Sequence, residues 1–252
     1  MKQVISRIGV IMSFLRKLFI GNRPLKYKYV APAVQNQVKT LKKVWNDDKD
    51  PTFGIERIFR LFLVIISFIF PILYIRHFSG KYGLMCRKIA IELHVIFKLF
   101  LPILLFNFDL TSNSFVIFIA IYLMLETITY LLGLIFLSDI YVSPISNKRS
   151  FLLLLINYIE ITLYFSVLYH GLSLIKGADT AIQHIYYSFV TSTTLGYGEM
   201  LPIDNVGYVA VISQLLTMVL FVSLFFNNLA SNLSYKNNSF KGNDKKKAHN
   251  RQ

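Results

Sequence analysis

Five stretches of this chain are apolar over about the length needed to cross a bilayer: Ile58–Tyr74, Ile89–Phe108, Phe115–Leu137, Phe151–Ile175 and Tyr208–Ala230. A helix rises 1.5 Å per residue, so roughly 20 residues span about 30 Å of hydrocarbon. Between the last two stretches lies Ala181–Ser192, too short to cross and suited to a re-entrant helix. The 54% apolar and 15% aromatic content and a mean hydropathy of +0.52 exceed what a soluble domain usually carries. The expected fold class is therefore an all-α, multi-pass membrane protein.

After the short helix comes Thr193-Thr194-Leu195-Gly196-Tyr197-Gly198-Glu199-Met200-Leu201-Pro202. A dehydrated cation needs a cage of oxygens, and backbone carbonyls supply one when successive peptides turn to the same side. That demands dihedrals that residues with a Cβ avoid and that Gly196 and Gly198 reach at little cost. Gly-x-Gly alone is also a common turn and occurs in phosphate-binding loops. Such a loop would need a preceding strand and a following soluble helix, whereas here apolar helices lie on each side.

The run from about Phe151 to Ala230 resembles the potassium-channel pore domain, with outer helix, re-entrant pore helix, filter and inner helix. The resemblance implies that the carbonyls of Thr194, Leu195, Gly196 and Tyr197, with the Thr194 hydroxyl, form the oxygen rings that hold K⁺, the only metal ion expected. It makes Tyr186, Tyr187, Thr193, Gly198 and Glu199 the filter's support. Glu199 stands where an aspartate is usual, Leu195 replaces the usual valine, Pro202 matches the family's proline and Gly207 a glycine that opens the inner helix. Met218 occupies the position of a common hinge glycine. Phe221, Phe225 and Phe226 are candidates for a hydrophobic gate, the alternative being that they pack against the outer helix or lipid.

One filter segment per chain implies a homotetramer. The implied function is passive, potassium-selective conduction with K⁺ as permeant ion, no cofactor and no enzymatic activity. The alternatives are a subunit of a potassium uptake transporter or a weakly selective cation channel. A voltage sensor needs several Arg or Lys at helical intervals within one span. Phe115–Leu137 has none, so no intrinsic voltage gating is expected.

The formal charge of +14 concentrates at the flanks, with eleven Lys or Arg against three acids in residues 1–50 and six against one in 232–252. Both flanks are expected to be cytoplasmic and to meet anionic lipid of the cell membrane rather than nucleic acid. The organisation expected is a basic cytoplasmic region over 1–56, membrane helices without sensor arginines over 57–140, a pore domain over 149–231 and a basic tail over 232–252. An amphipathic helix is expected within Met1–Ile20, either lying on the inner leaflet or packed on a neighbouring segment. The lone Cys86 excludes an intrachain disulfide.

Orientation carries a conflict. With the filter outside, Lys148 and Arg149 fall inside, the loop Asp109–Ser114, which has no Lys or Arg, outside, and Arg76, Lys81, Arg87 and Lys88 inside. Five spans would then place the basic N-terminal flank outside, so one segment must fail to span. Ile58–Tyr74 is interrupted by Pro71. Ile89–Phe108 carries His94, Lys98 and Pro102, and its charge marks it as the segment to be interfacial or bent, although that choice moves the basic loop at 76–88 outside. Glu92, Lys98, Glu126 and Glu160 are costly in lipid, and Lys98 is expected to pair with Glu126 or Glu92 while Glu160 hydrogen-bonds within the bundle. His94 and His170 are read as core or interface residues.

Overall fold

A computed structural model describes residues 32–46, 53–140 and 147–249. The helix expected within Met1–Ile20 lies outside the described residues. The chain divides into two compact units, residues 1–96 and 97–252, and the long fourth helix runs across the division.

The first unit contains α1 (Ala33–Asn46), α2 (Ile55–Ile66), α3 (Pro71–Gly80) and the start of α4 (Leu84–Asn107). Helix α1 packs against α2 and α3, burying Ala33 and Val44 beside Leu63, Val64 and Leu73. Gln37 Nε2 donates to Ser67 Oγ at 2.6 Å, so the turn after α2 is held by a side chain from α1. Pro71 forces its predecessor out of the helical region, and Phe70 is extended at φ −85°, ψ 143°. Proline then serves as the first residue of α3, where its missing N–H costs nothing. The two helices meet at a bend of 64°.

The bend decides which segment fails to make a straight span, and it corrects the choice made from charge. Ile89–Phe108 lies within α4, a continuous helix of 24 residues despite Pro102, and Ile58–Tyr74 is the broken one. Among the described residues four helices are long and apolar enough to cross a membrane, α4, α5 (Ser114–Phe136), α6 (Asn147–Gly171) and the first 26 residues of α8 (Asn205–His249), and the bent pair α2 and α3 would make a fifth if the two cross as one span. Charge misled because a single segment does not display the partners that other helices offer. Lys98 is 4% exposed and lies 3.4 Å from Glu126 Oε2 and 3.1 Å from Glu160 Oε1.

The second unit is built around α6, which packs against α5, against the short α7 (Ala181–Ser192) and against α8. Ile161, Tyr164, Phe165, Val167 and Tyr169 are all sealed from solvent. The buried stripe of α8, Gly207, Gln214, Met218, Phe221 and Leu224, recurs at helical intervals and faces this core. The rest of α8 leaves Val209, Ile212, Leu216, Val219 and Phe226 exposed. At one end, β1 (Ile175–Lys176) and β2 (Leu201–Pro202) pair antiparallel, Ile175 opposite Pro202. At the same end Gly171 reaches the loop before α5 so closely that a Cβ there would meet the Thr111 carbonyl oxygen at 2.3 Å.

Candidate functional site: the filter hairpin

The candidate filter lies in a hairpin that leaves α6, enters α7, turns back through Thr193–Pro202 and continues into α8. Helix α7 starts sharply because Thr180 and Gln183 cap it reciprocally. The Thr180 hydroxyl accepts from the Gln183 N–H, and Gln183 Oε1 accepts from the Thr180 N–H at 2.9 Å. It ends where Thr193 and Thr194 leave the helical ladder, their N–H groups still donating to Phe189 and Thr191 carbonyls. The Leu195 N–H reaches back to the Val190 carbonyl at 3.1 Å. These bonds tie the first half of the filter to the helix end.

Beyond that point the backbone alternates. Thr194, Gly196 and Gly198 have φ of 59°, 56° and 81°, while Leu195 and Tyr197 between them do not share this region. Glycine takes such values freely, but a threonine there stores roughly 1–3 kcal/mol of strain. All residues from Thr193 to Glu199 are exposed in the single chain, Leu195 at 61% and Tyr197 at 65%. A groove of about 580 Å³ runs beside them, lined by Tyr186, Thr191, Tyr197, Tyr208 and Leu215 among others.

The supporting residues divide. Tyr186 stacks on Tyr197 with ring planes 3° apart and centroids at 6.5 Å. Its phenol hydrogen-bonds Glu199, and that bond, with smaller contributions from desolvation and charge, holds the Tyr186 proton above its ordinary value. Tyr187 turns the other way, packing edge-on against Tyr169 of α6 with centroids at 5.2 Å. The Thr193 hydroxyl donates to the Phe189 carbonyl at 2.8 Å. Phe221 packs edge-on against Tyr158, and Phe225 against Phe151, each at 5.5 Å, so two of the three gate candidates contact the outer helix. Phe226 is 68% exposed.

Behind the Thr193–Pro202 turn lies a polar chain with little signature in the sequence. Tyr169 donates to Gln214 Oε1 at 2.6 Å, Gln214 Nε2 donates to the Ser188 carbonyl at 2.9 Å, and the Ser188 hydroxyl donates to the Thr162 carbonyl at 2.6 Å. It joins α6, α7 and α8, and Gln214 and Ser188 are fully buried. The one available signal was Gln214, an amide in an otherwise apolar span. At the start of α8, Asp204 caps the helix by accepting from the Gly207 N–H at 2.8 Å. Gly207 lies so near the Leu174 carbonyl that a Cβ would sit 2.9 Å from it.

His184, buried on α7, stands edge-on to His170 with centroids at 4.9 Å. Burial lowers its affinity for a proton, more than the contact with the Thr180 carbonyl at 2.9 Å raises it. His170 Nδ1 lies 2.7 Å from the Thr111 hydroxyl. The pair thereby connects the start of the pore helix to the loop before α5.

Residues 151–235 match a family model described as "Ion channel". No curated protein and no solved structure matches the chain.

Proposed function

We propose that residues 151–235, which match a family model described as "Ion channel", form a pore domain of the potassium-channel type, and that this protein is a homotetrameric, potassium-selective channel that conducts K⁺ passively. The observation that carries the reading is the alternation at Thr194, Gly196 and Gly198. An alternating backbone can turn the carbonyls of Thr194, Leu195, Gly196 and Tyr197 to one side, and four such strands about an axis would replace the ion's hydration shell. Four copies are needed because one chain supplies one strand of each ring. The exposed side chains of Leu195, Tyr197, Leu216 and Val219 are apolar surface that neighbouring copies would cover.

An even number of crossing helices removes the conflict in orientation. With four spans and the filter outside, both basic flanks fall inside the cell, as do Arg76, Lys81, Arg87, Lys88, Lys148 and Arg149. The anionic inner leaflet of the cell membrane is the partner of those flanks. Phe226, exposed on α8, is the residue of the three best placed to gate. With no Lys or Arg in Ser114–Phe136, conductance in symmetric K⁺ should lack a steep voltage dependence.

The test is uptake of Rb⁺ against Na⁺ into liposomes containing the purified protein. Selective Rb⁺ uptake, abolished or rendered unselective by Gly196→Ala or Tyr197→Ala with the tetramer intact, supports the reading. Equal uptake of both ions makes the protein a weakly selective cation channel. Flux unchanged by both substitutions rules out this pore. Leu195→Val should retain selectivity, because the carbonyl stays in place.

A further inference from the structure

Three charged side chains from three helices meet in the interior of the second unit. Lys98 comes from α4, Glu126 from α5 and Glu160 from α6, and they are 4%, 3% and 0% exposed. Lys98 Nζ lies 3.1 Å from Glu160 Oε1 and 3.4 Å from Glu126 Oε2, and it donates to the Thr127 hydroxyl at 2.5 Å. That hydroxyl donates in turn to Glu160 Oε1 at 2.8 Å. The charged and titratable groups facing Glu160 are Lys98, Glu126 and, one turn along its own helix, Tyr164. Helices α7 and α8 add no formal charge, since 181–192 and 205–230 contain no Asp, Glu, Lys or Arg.

Two facts then conflict with a fully ionised cluster. One ammonium facing two carboxylates leaves a negative charge uncompensated at a site sealed from solvent, which is costly away from water. Moreover, Glu160 Oε2 is buried with no hydrogen-bond partner, and so is the Tyr164 hydroxyl, although Oε1 of the same carboxyl has two donors. An ionised carboxylate would spread charge onto an oxygen that nothing solvates. A single positive charge at Oε2 resolves both problems. An alkali cation is a poor fit, because it requires a cage of several oxygens and only these two are unpartnered here.

We propose that Glu160 is a proton-binding site, holding one proton on Oε2 at neutral pH, so that the Lys98–Glu126–Glu160 cluster is electrically neutral inside the membrane. The proton makes Oε2 a neutral hydroxyl. Glu126 remains the anion that balances Lys98. The site stands apart from the filter and does not depend on what the pore conducts.

The experiment is infrared difference spectroscopy of the full-length protein in lipid vesicles at neutral pH, comparing wild type with Glu160→Gln. The expected result is a carboxylic-acid C=O band in wild type, shifted in D₂O, that Glu160→Gln abolishes. Lys98→Met removes the only cation, so Glu126 must also take up a proton and the band should double. A wild-type spectrum without the band overturns the proposal, as does a band that survives in Glu160→Gln or appears only when Na⁺ and K⁺ are withdrawn. Should Glu160→Gln fail to assemble, wild-type protein carrying ¹³C-glutamate and ¹⁵N-lysine decides by solid-state NMR. A protonated carboxyl carbon dipole-coupled to a lysine ammonium supports the site, and only carboxylates beside that ammonium overturn it.

Discussion

The Tyr169 hydroxyl donates to Gln214 Oε1 at 2.6 Å, and through this bond α6 grips α8 at the level of α7. Gln214 is fully buried and uses its amide nitrogen on Ser188 as well, so one side chain serves all three elements of the pore domain.

Gln214→Ala should therefore destabilise the assembled protein. It strands the Tyr169 hydroxyl and removes the donor from the Ser188 carbonyl, each a buried group whose desolvation costs about 1–3 kcal/mol. Tyr169→Phe removes one bond and leaves only Gln214 Oε1 unpaired, so its loss should be smaller. Thermal unfolding in detergent orders the two variants, and an equal or reversed order contradicts this account.

Gly171→Ala tests the contact between the end of α6 and the loop before α5. The added methyl would meet the Thr111 carbonyl oxygen at 2.3 Å and its carbon at 3.2 Å, both backbone atoms with no rotamer to change. Overpacking of this kind costs about 1–3 kcal/mol. Gly54→Ala and Gly83→Ala also change glycines, but there only a positive φ opposes the methyl, with nothing within 4 Å. Their melting temperatures should fall less than that of Gly171→Ala.

Lys98→Met should be the most damaging single change in the non-pore helices. Breaking a buried ion pair by removing one partner costs about 3–5 kcal/mol, whereas replacing all the charges by neutral side chains of similar volume is often tolerated. The triple variant Lys98→Met/Glu126→Gln/Glu160→Gln should thus recover much of the folded yield that Lys98→Met loses. Measuring yield and melting temperature for the single and triple variants checks it, and additive losses would show that packing rather than charge is at stake.

The same cluster shows what the sequence could and could not disclose. Pairing of Lys98 with Glu126 was legible, because opposite charges in neighbouring apolar spans have few other ways to be buried. Glu160 was read as a hydrogen-bonding residue, and it does accept from Thr127, but its closeness to Lys98 depends on the rotation of α6, which no one-dimensional pattern contains. The misplaced break has the same origin. Lys98 counted against Ile89–Phe108 while its two partners lay in other segments, and Pro71, a local signal, acted where it stood. Ala181–Ser192 was recognisable because its start and end are set by neighbouring residues, Thr180 and the glycine-bearing run after Ser192. Tyr169, Ser188 and Gln214 were not, since a hydroxyl and an amide on separate helices acquire meaning only when packing brings them together.

His184 gives the pore domain an acid sensitivity whose sign is fixed by its surroundings. It lies on the re-entrant helix rather than in a spanning one, and burial is the main reason its proton affinity falls below the ordinary value, with the nearby His170 acting in the same direction. A folded-state pKa below the unfolded value means that the unfolded chain takes up the proton first as pH falls. The stabilisation is present above the ordinary histidine value of about 6.5 and is lost as pH falls through the lower, folded value. Protonation would also set a cation beside His170, 4.9 Å away between ring centroids. Acidification from about pH 7.5 to about pH 5 should thus lower the melting temperature of the protein. His184→Gln, which can still donate towards Thr180 but cannot become charged, should flatten that dependence while His170→Gln leaves the main part of it. An undiminished acid sensitivity in His184→Gln would assign the effect to another group.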